Sequence, residues 1–142
     1  MDLYINTLSN EQLLSSFNFA RNSDLVYSEV VSKEEFKKIE NENLSIISED
    51  NDYIFYKVKS FSLSENMIVF TNFFCIDSLF EELNKLKNFS NIKLVTHQSD
   101  LPVTKKIFSK KPKCVSEWYS INAMHKTKDL IPIPIGLSNN HY

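Results

Sequence analysis

One glycine, Gly136, and one arginine, Arg21, serve the whole chain of 142 residues. A lone glycine cannot build a glycine-rich phosphate loop, which excludes a P-loop and a dinucleotide-binding fingerprint. Arginine is the side chain best suited to bidentate clamps on phosphate or carboxylate, so this domain is poorly equipped to hold a diphosphate by itself. Cysteine occurs twice, at Cys75 and Cys114. Two residues so far apart read as neither a disulfide framework nor a zinc site, and suggest buried thiols in a reducing compartment. A net excess of positive charge is also lacking: the formal net charge is -2, which argues against a partner bound through neutralised phosphates, and no nucleic acid is expected. Residues 1 to 20 carry Asp2, Asn10 and Glu11 where a signal peptide would have a basic start and an apolar run. No stretch approaches the roughly 20 apolar residues of a membrane span. The expected location is the cytoplasm, or the inner face of a membrane reached through a partner.

What the chain does have is a core's worth of apolar residues, 42% by count, and explicit secondary-structure punctuation. Ser9-Asn10-Glu11-Gln12, Ser32-Lys33-Glu34-Glu35 and Ser78-Leu79-Phe80-Glu81 are capping boxes, in which the serine hydroxyl accepts from an orphan amide. Behind the third, Ile76, Leu79, Phe80, Leu83 and Leu86 share one helical face. Runs rich in β-branched and aromatic residues predict strands over 25–31, 44–47, 53–58, 67–71, 92–96 and 130–135. Ser48 to Asp52 reads as the turn of a hairpin. From Met67 onward the order is strand, helix, strand, helix, a mixed segment, then strand, which is βαβ logic and implies a parallel sheet. No linker, repeat or low-complexity tract interrupts the chain. The expectation is one domain over 1–142, α/β and Rossmann-like, with a mostly parallel sheet flanked by helices.

The richest segment is Ile92 to Pro102, where an apolar run gives way to His97, Gln98, Ser99 and Asp100. Ligands of open α/β sheets bind outside the carboxyl ends of the strands, and these side chains would stand there. A histidine, with an ordinary pKa of about 6.5, can take a proton at neutral pH, and a carboxylate three residues on can orient it or act as the base itself. Alternatively, Asp100 caps a helix opening near Pro102 and His97 satisfies a backbone carbonyl. Asn72, closing the Met67 strand, would reach the same rim, as would the Ser138-Asn139-Asn140-His141 stretch. Trp118 and Asn122 share a face if their segment is helical, and Trp118 could stack on a sugar or pack in the core. Asp50-Asn51-Asp52 has the form of a metal-binding D-x-D, but these are also the favoured turn residues, and the turn reading is preferred. Ser99 has no nucleophile elbow around it, so a serine hydrolase is not expected.

Three segments together resemble the N-terminal half of exostosin-like, GT-B-type glycosyltransferases of bacterial surface-polysaccharide loci and large viruses. They are Val95 to Asp100, Lys113 to Asn122, and Ile133 to Asn139. The resemblance lies in a strand ending in His97, Ser99 and Asp100, in Trp118 followed four residues on by Asn122, and in Pro134-Ile135-Gly136-Leu137 with Asn139. Gln98 stands where that pattern usually has Asn. The resemblance covers about 65–142 and implies half of a GT-B architecture, facing a C-terminal domain that grips the sugar nucleotide. It further implies a glycan or lipid-linked sugar as acceptor in surface-glycan or polysaccharide biosynthesis. Asp100 or His97 would be the general base, Trp118 and Asn122 would shape the acceptor wall beside Ser99, and Asn139 would lie near the interdomain crossover; Asn72 joins the candidate substrate-binding residues by its place at the rim. No metal and no cofactor of its own would be required, the sugar nucleotide being a substrate bound mainly outside this chain. The ending of the chain soon after the Gly136 turn fits that expectation. The competing expectation is a non-catalytic α/β interaction domain whose polar strand ends are caps and turns. A small stand-alone enzyme with a metal at Asp50 and Asp52 is the third.

Overall fold

The computed structural model describes residues 14–40, 42–86 and 90–136. The first capping box and Asn139 lie outside the described residues. Helix α1 (Ser16–Arg21) precedes strand β1 (Leu25–Ser32) and helix α2 (Lys33–Phe36), and strands β2 (Leu44–Glu49) and β3 (Tyr53–Val58) follow. Strand β4 (Ile68–Asn72) leads through a 3-10 turn (Phe73–Cys75) into helix α3 (Ile76–Lys85). The remaining elements are β5 (Ile92–His97), α4 (Lys105–Phe108), β6 (Val115–Ser120) and β7 (Leu130–Pro132). They form a seven-stranded sheet in the order β2-β3-β1-β4-β5-β6-β7. The ladders from β1 through β7 are parallel, and β2–β3 is an antiparallel hairpin added beside β1. The fold is α/β with a mostly parallel sheet, as the alternation of patterns predicts.

The topology sets what covers each face. From β4 to β7 the strands advance in one direction, and right-handed crossovers then carry their helices to the same face. Accordingly Ile76, Leu79, Phe80 and Leu83 of α3, with Ile107 and Phe108 of α4, pack against Val69, Leu94 and Trp118. Strand side chains alternate, so Phe70, Val95 and Tyr119 point the other way, where Phe19 and Ala20 of α1 meet them. Further along that second face, Phe36 of α2 packs on Val31, Ile54 and Tyr56. The connection leaving β1 therefore runs toward the hairpin, and the one leaving β4 runs toward β5 over the opposite face. Such a divergence between neighbouring parallel strands is a topological switch point, the usual site of a ligand crevice.

Three local expectations change. The third helix begins at Ile76, not at Ser78: its first turn is prefaced by the 3-10 turn, which Asn72 caps by accepting from the Phe74 N–H at 3.0 Å. Ser78 lies inside the helix and shares a 2.7 Å hydrogen bond with the Tyr27 hydroxyl. Residues 115–120 form β6, so the helical spacing of Trp118 and Asn122 is not realised. The last strand ends at Pro132, sooner than its apolar run suggests. By contrast Ser32 caps α2 as expected, accepting from the Glu35 N–H.

Candidate functional site

Asn72 ends β4 and pairs in register with His97 at the end of β5, which places both at the carboxyl rim of the sheet. Both are buried, at 1% and 5% exposure, so each polar atom must find a partner. His97 Nδ1 accepts the Gln98 backbone N–H at 2.8 Å. Its Nε2 lies 2.9 Å from the Ile135 carbonyl oxygen, which can only accept. These two partners require the neutral ring protonated at Nε2. Burial holds the imidazole below its ordinary pKa, and the Ile135 carbonyl opposes this in part. His97 thus satisfies backbone groups with both nitrogens and does not pair with the Asp100 carboxylate.

Beyond β5 the chain turns sharply. Gln98 adopts φ +63, and Ser99 Oγ accepts the Leu101 N–H at 3.1 Å. Asp100 does not cap the following helix: α4 is capped by Thr104, whose hydroxyl accepts from Ile107. The Asp100 side chain is exposed at the rim. Its backbone carbonyl accepts from Asn122 Nδ2 at 2.9 Å, and Asn122 itself sits at φ +52 just past β6. A bridge from Val103 to Ala123 joins the same two loops. Gly136 closes the cluster on the third side. It adopts φ +74, and a Cβ there would stand 2.4 Å from the Leu14 carbonyl oxygen, so glycine is required both by conformation and by the close approach of α1's entry.

The rim therefore gathers Asn72, His97, Ser99, Asp100 and Asn122, and adds Gln98 and Ile135. Trp118 stands apart. It is fully buried on the α3 side, stacked edge-on to Phe80, with its indole N–H donated to Thr96 Oγ1 at 2.8 Å. In this structure it offers no surface to a sugar. Thr96 in turn donates to Ser120 at 2.7 Å, and Ser28 and Thr71 share a 2.8 Å bond. This row of buried hydroxyls runs across four strands just beneath the rim. The sequence does not show it, because the four hydroxyls lie on four strands and meet only through the register of the sheet.

Two further features lie away from the rim. Asp50 Oδ1 accepts the N–H groups of Asp52 and Tyr53, each at 2.8 Å, making the D-x-D segment a hairpin turn. Those two amides hold the Asp50 carboxyl below its ordinary pKa. Among the described residues, no three His, Cys, Asp or Glu side chains are grouped to hold a metal ion. On the α1 face, Glu29 is fully buried, with Oε1 accepting from Tyr56 at 2.6 Å and from Arg21. Burial pushes this carboxyl above its ordinary pKa, against the pull of Arg21. The only arginine thus anchors α1 to β1. A cavity of about 270 Å³ beside α1, lined by Phe19, Ile68, Lys93, Val95, Tyr119 and Ile133, opens where the one-directional winding leaves this face thinly covered.

Among the described residues, no helix is long and apolar enough to cross a membrane. Comparison of the chain with protein-family models, curated proteins and solved structures finds no match.

Proposed function

We propose that this domain forms the acceptor-side wall of a sugar-nucleotide-dependent glycosyltransferase of surface-glycan or polysaccharide biosynthesis. One observation carries the reading. The segments that resemble exostosin-like enzymes lie 22 and 38 residues apart along the chain at their bonded atoms, yet Asn122 bonds Asp100 and His97 bonds Ile135. Motifs that mark a common site should converge in this way, and unrelated caps and turns need not. In this reading the Asp100 carboxylate is the general base. It takes the proton of the acceptor hydroxyl as that oxygen bonds to the anomeric carbon and the nucleoside diphosphate departs. His97 positions the rim, since its acceptor nitrogen is already engaged. The donor's diphosphate is held outside this chain, in keeping with its single arginine, and Trp118 supports the wall from behind.

Within the full two-domain enzyme, Asp100→Asn is expected to lower turnover by about 10²-fold or more, the low end for a general base, with an unchanged circular dichroism spectrum. Near-normal transfer by that variant would remove Asp100 from the mechanism. A second reading, a non-catalytic interaction domain, draws on Phe74, Leu101, Met124 and Ile135, large apolar side chains that are exposed just beyond β4, β5, β6 and β7. Absence of saccharide binding by the protein, together with a partner protein whose binding Met124→Asp abolishes, would favour it.

A further inference from the structure

The crevice expected at the switch point between β1 and β4 is occupied by a side chain of the protein itself. The β1–β4 ladder ends at Ser28 and Thr71. Beyond it, the Val30 backbone has no strand beside it on the β4 side, and buried backbone groups left unpaired are costly. Gln98 supplies the missing partner. The Val30 N–H donates to Gln98 Oε1 at 2.8 Å, and Gln98 Nε2 donates to the Val30 carbonyl at 2.9 Å. A carboxamide carries the same donor and acceptor pair as a peptide unit, so Gln98 stands in for one residue of a strand. Its Oε1 also accepts from Asn72 Nδ2 at 3.2 Å. Its own N–H is the group bound by His97 Nδ1, and its left-handed backbone turns the chain toward Ser99 and Asp100. One residue thus links the ends of β1, β4 and β5.

We propose that Gln98 is the positioning residue of the rim: by pairing with Val30 as a strand would, it holds His97 in its Nε2-protonated tautomer and fixes where Asp100 stands. What Asp100 does there rests on the sugar-transfer reading; the positioning itself does not. Nitrogen-15 NMR of the His97 ring and hydrogen exchange of the Val30 amide test it. The wild-type ring should show one tautomer, with Nδ1 unprotonated, and Val30 should be protected. Gln98→Asn, one methylene too short, should speed Val30 exchange by about tenfold or more, the equivalent of one lost hydrogen bond, and admit the second His97 tautomer. Gln98→Glu keeps the acceptor but turns the donor to Val30 into a repulsion, and should show a smaller change in the same direction. A wild-type ring protonated at Nδ1, or a Gln98→Asn protein with unchanged tautomer and unchanged Val30 exchange, overturns the proposal. If the spectra shift as expected but neither protein binds a saccharide acceptor, the positioning role stands and the transferase reading fails. If saccharide binding falls in Gln98→Asn while the spectra stay the same, the positioning role fails instead.

Discussion

In the turn between β2 and β3, Asp50 bonds amides two and three residues ahead of it. At the rim, Asn122 bonds a carbonyl 22 residues back, His97 one 38 residues on, and Gln98 a strand 68 residues away. Both places are polar, exposed in part, and rich in Asp, Asn and Ser. The turn uses its side chains to shape its own backbone, which is why Asp and Asn are favoured there. The rim uses them to hold separate loops in one arrangement. Local bonding explains a residue fully by the turn it makes; bonding across the fold creates a place, with a shape that a ligand can meet.

Substitutions can break that contrast. The largest effect is expected from Gly136→Ala, which places a Cβ on a left-handed backbone and against the Leu14 carbonyl. It should cost about 2 kcal/mol or more in urea denaturation and should displace the Ile135 carbonyl from His97, visible in the His97 ring shifts. A loss within the scatter of surface substitutions would mean the rim tolerates movement there. A mid-sized effect is expected from pH. His97 is held neutral with its pKa lowered by burial, so the stability it contributes is complete above the unfolded value of about 6.5 and is lost as pH falls from there toward the lower folded value. The stability gap between wild type and His97→Gln should therefore narrow below about pH 6.5. Comparing the two proteins cancels the opposite trend from buried Glu29, whose raised pKa disfavours the fold as pH rises. A gap that is constant from pH 7.5 to 5 contradicts the neutral ring. The smallest effect is expected at Asp50→Ala: a slight fall in melting temperature, no change in transfer, and no response of either protein to added magnesium or manganese. A metal-dependent rise in melting temperature that Asp50→Ala removes would revive the D-x-D reading.

Much of the fold is legible in the sequence because its central parallel strands are largely buried and read as mainly apolar runs, unbroken over 67–70. The Met67, Ile92 and Leu25 runs and the hairpin all appear where the patterns place them. Strand β6 was obscured because it lies toward the thinly covered end of the sheet. Glu117 and Tyr119 face the open side while Trp118 faces the core, and the resulting mixed pattern, with Asn122 four residues on, also suits a helix. The rim's position could be read from the polar residues that end β5. Gln98's role could not, since it depends on β1 running beside β4 and outlasting their ladder, a relation that no local pattern encodes. Nor could the availability of His97 be read from its residue type: its nitrogens are claimed by Gln98 and by Ile135, one adjacent and one distant.

The most direct test of a single converged site is a titration of the isotope-labelled domain with neutral oligosaccharides, followed by backbone amide shifts. Gln98, Asp100, Leu101, Asn122, Ala123 and Ile135 should move together and fit one dissociation constant, with Asn51 and Asp52 unmoved. Shifts confined to one loop, different constants for the separate loops, or no shift at millimolar sugar would contradict the shared acceptor wall.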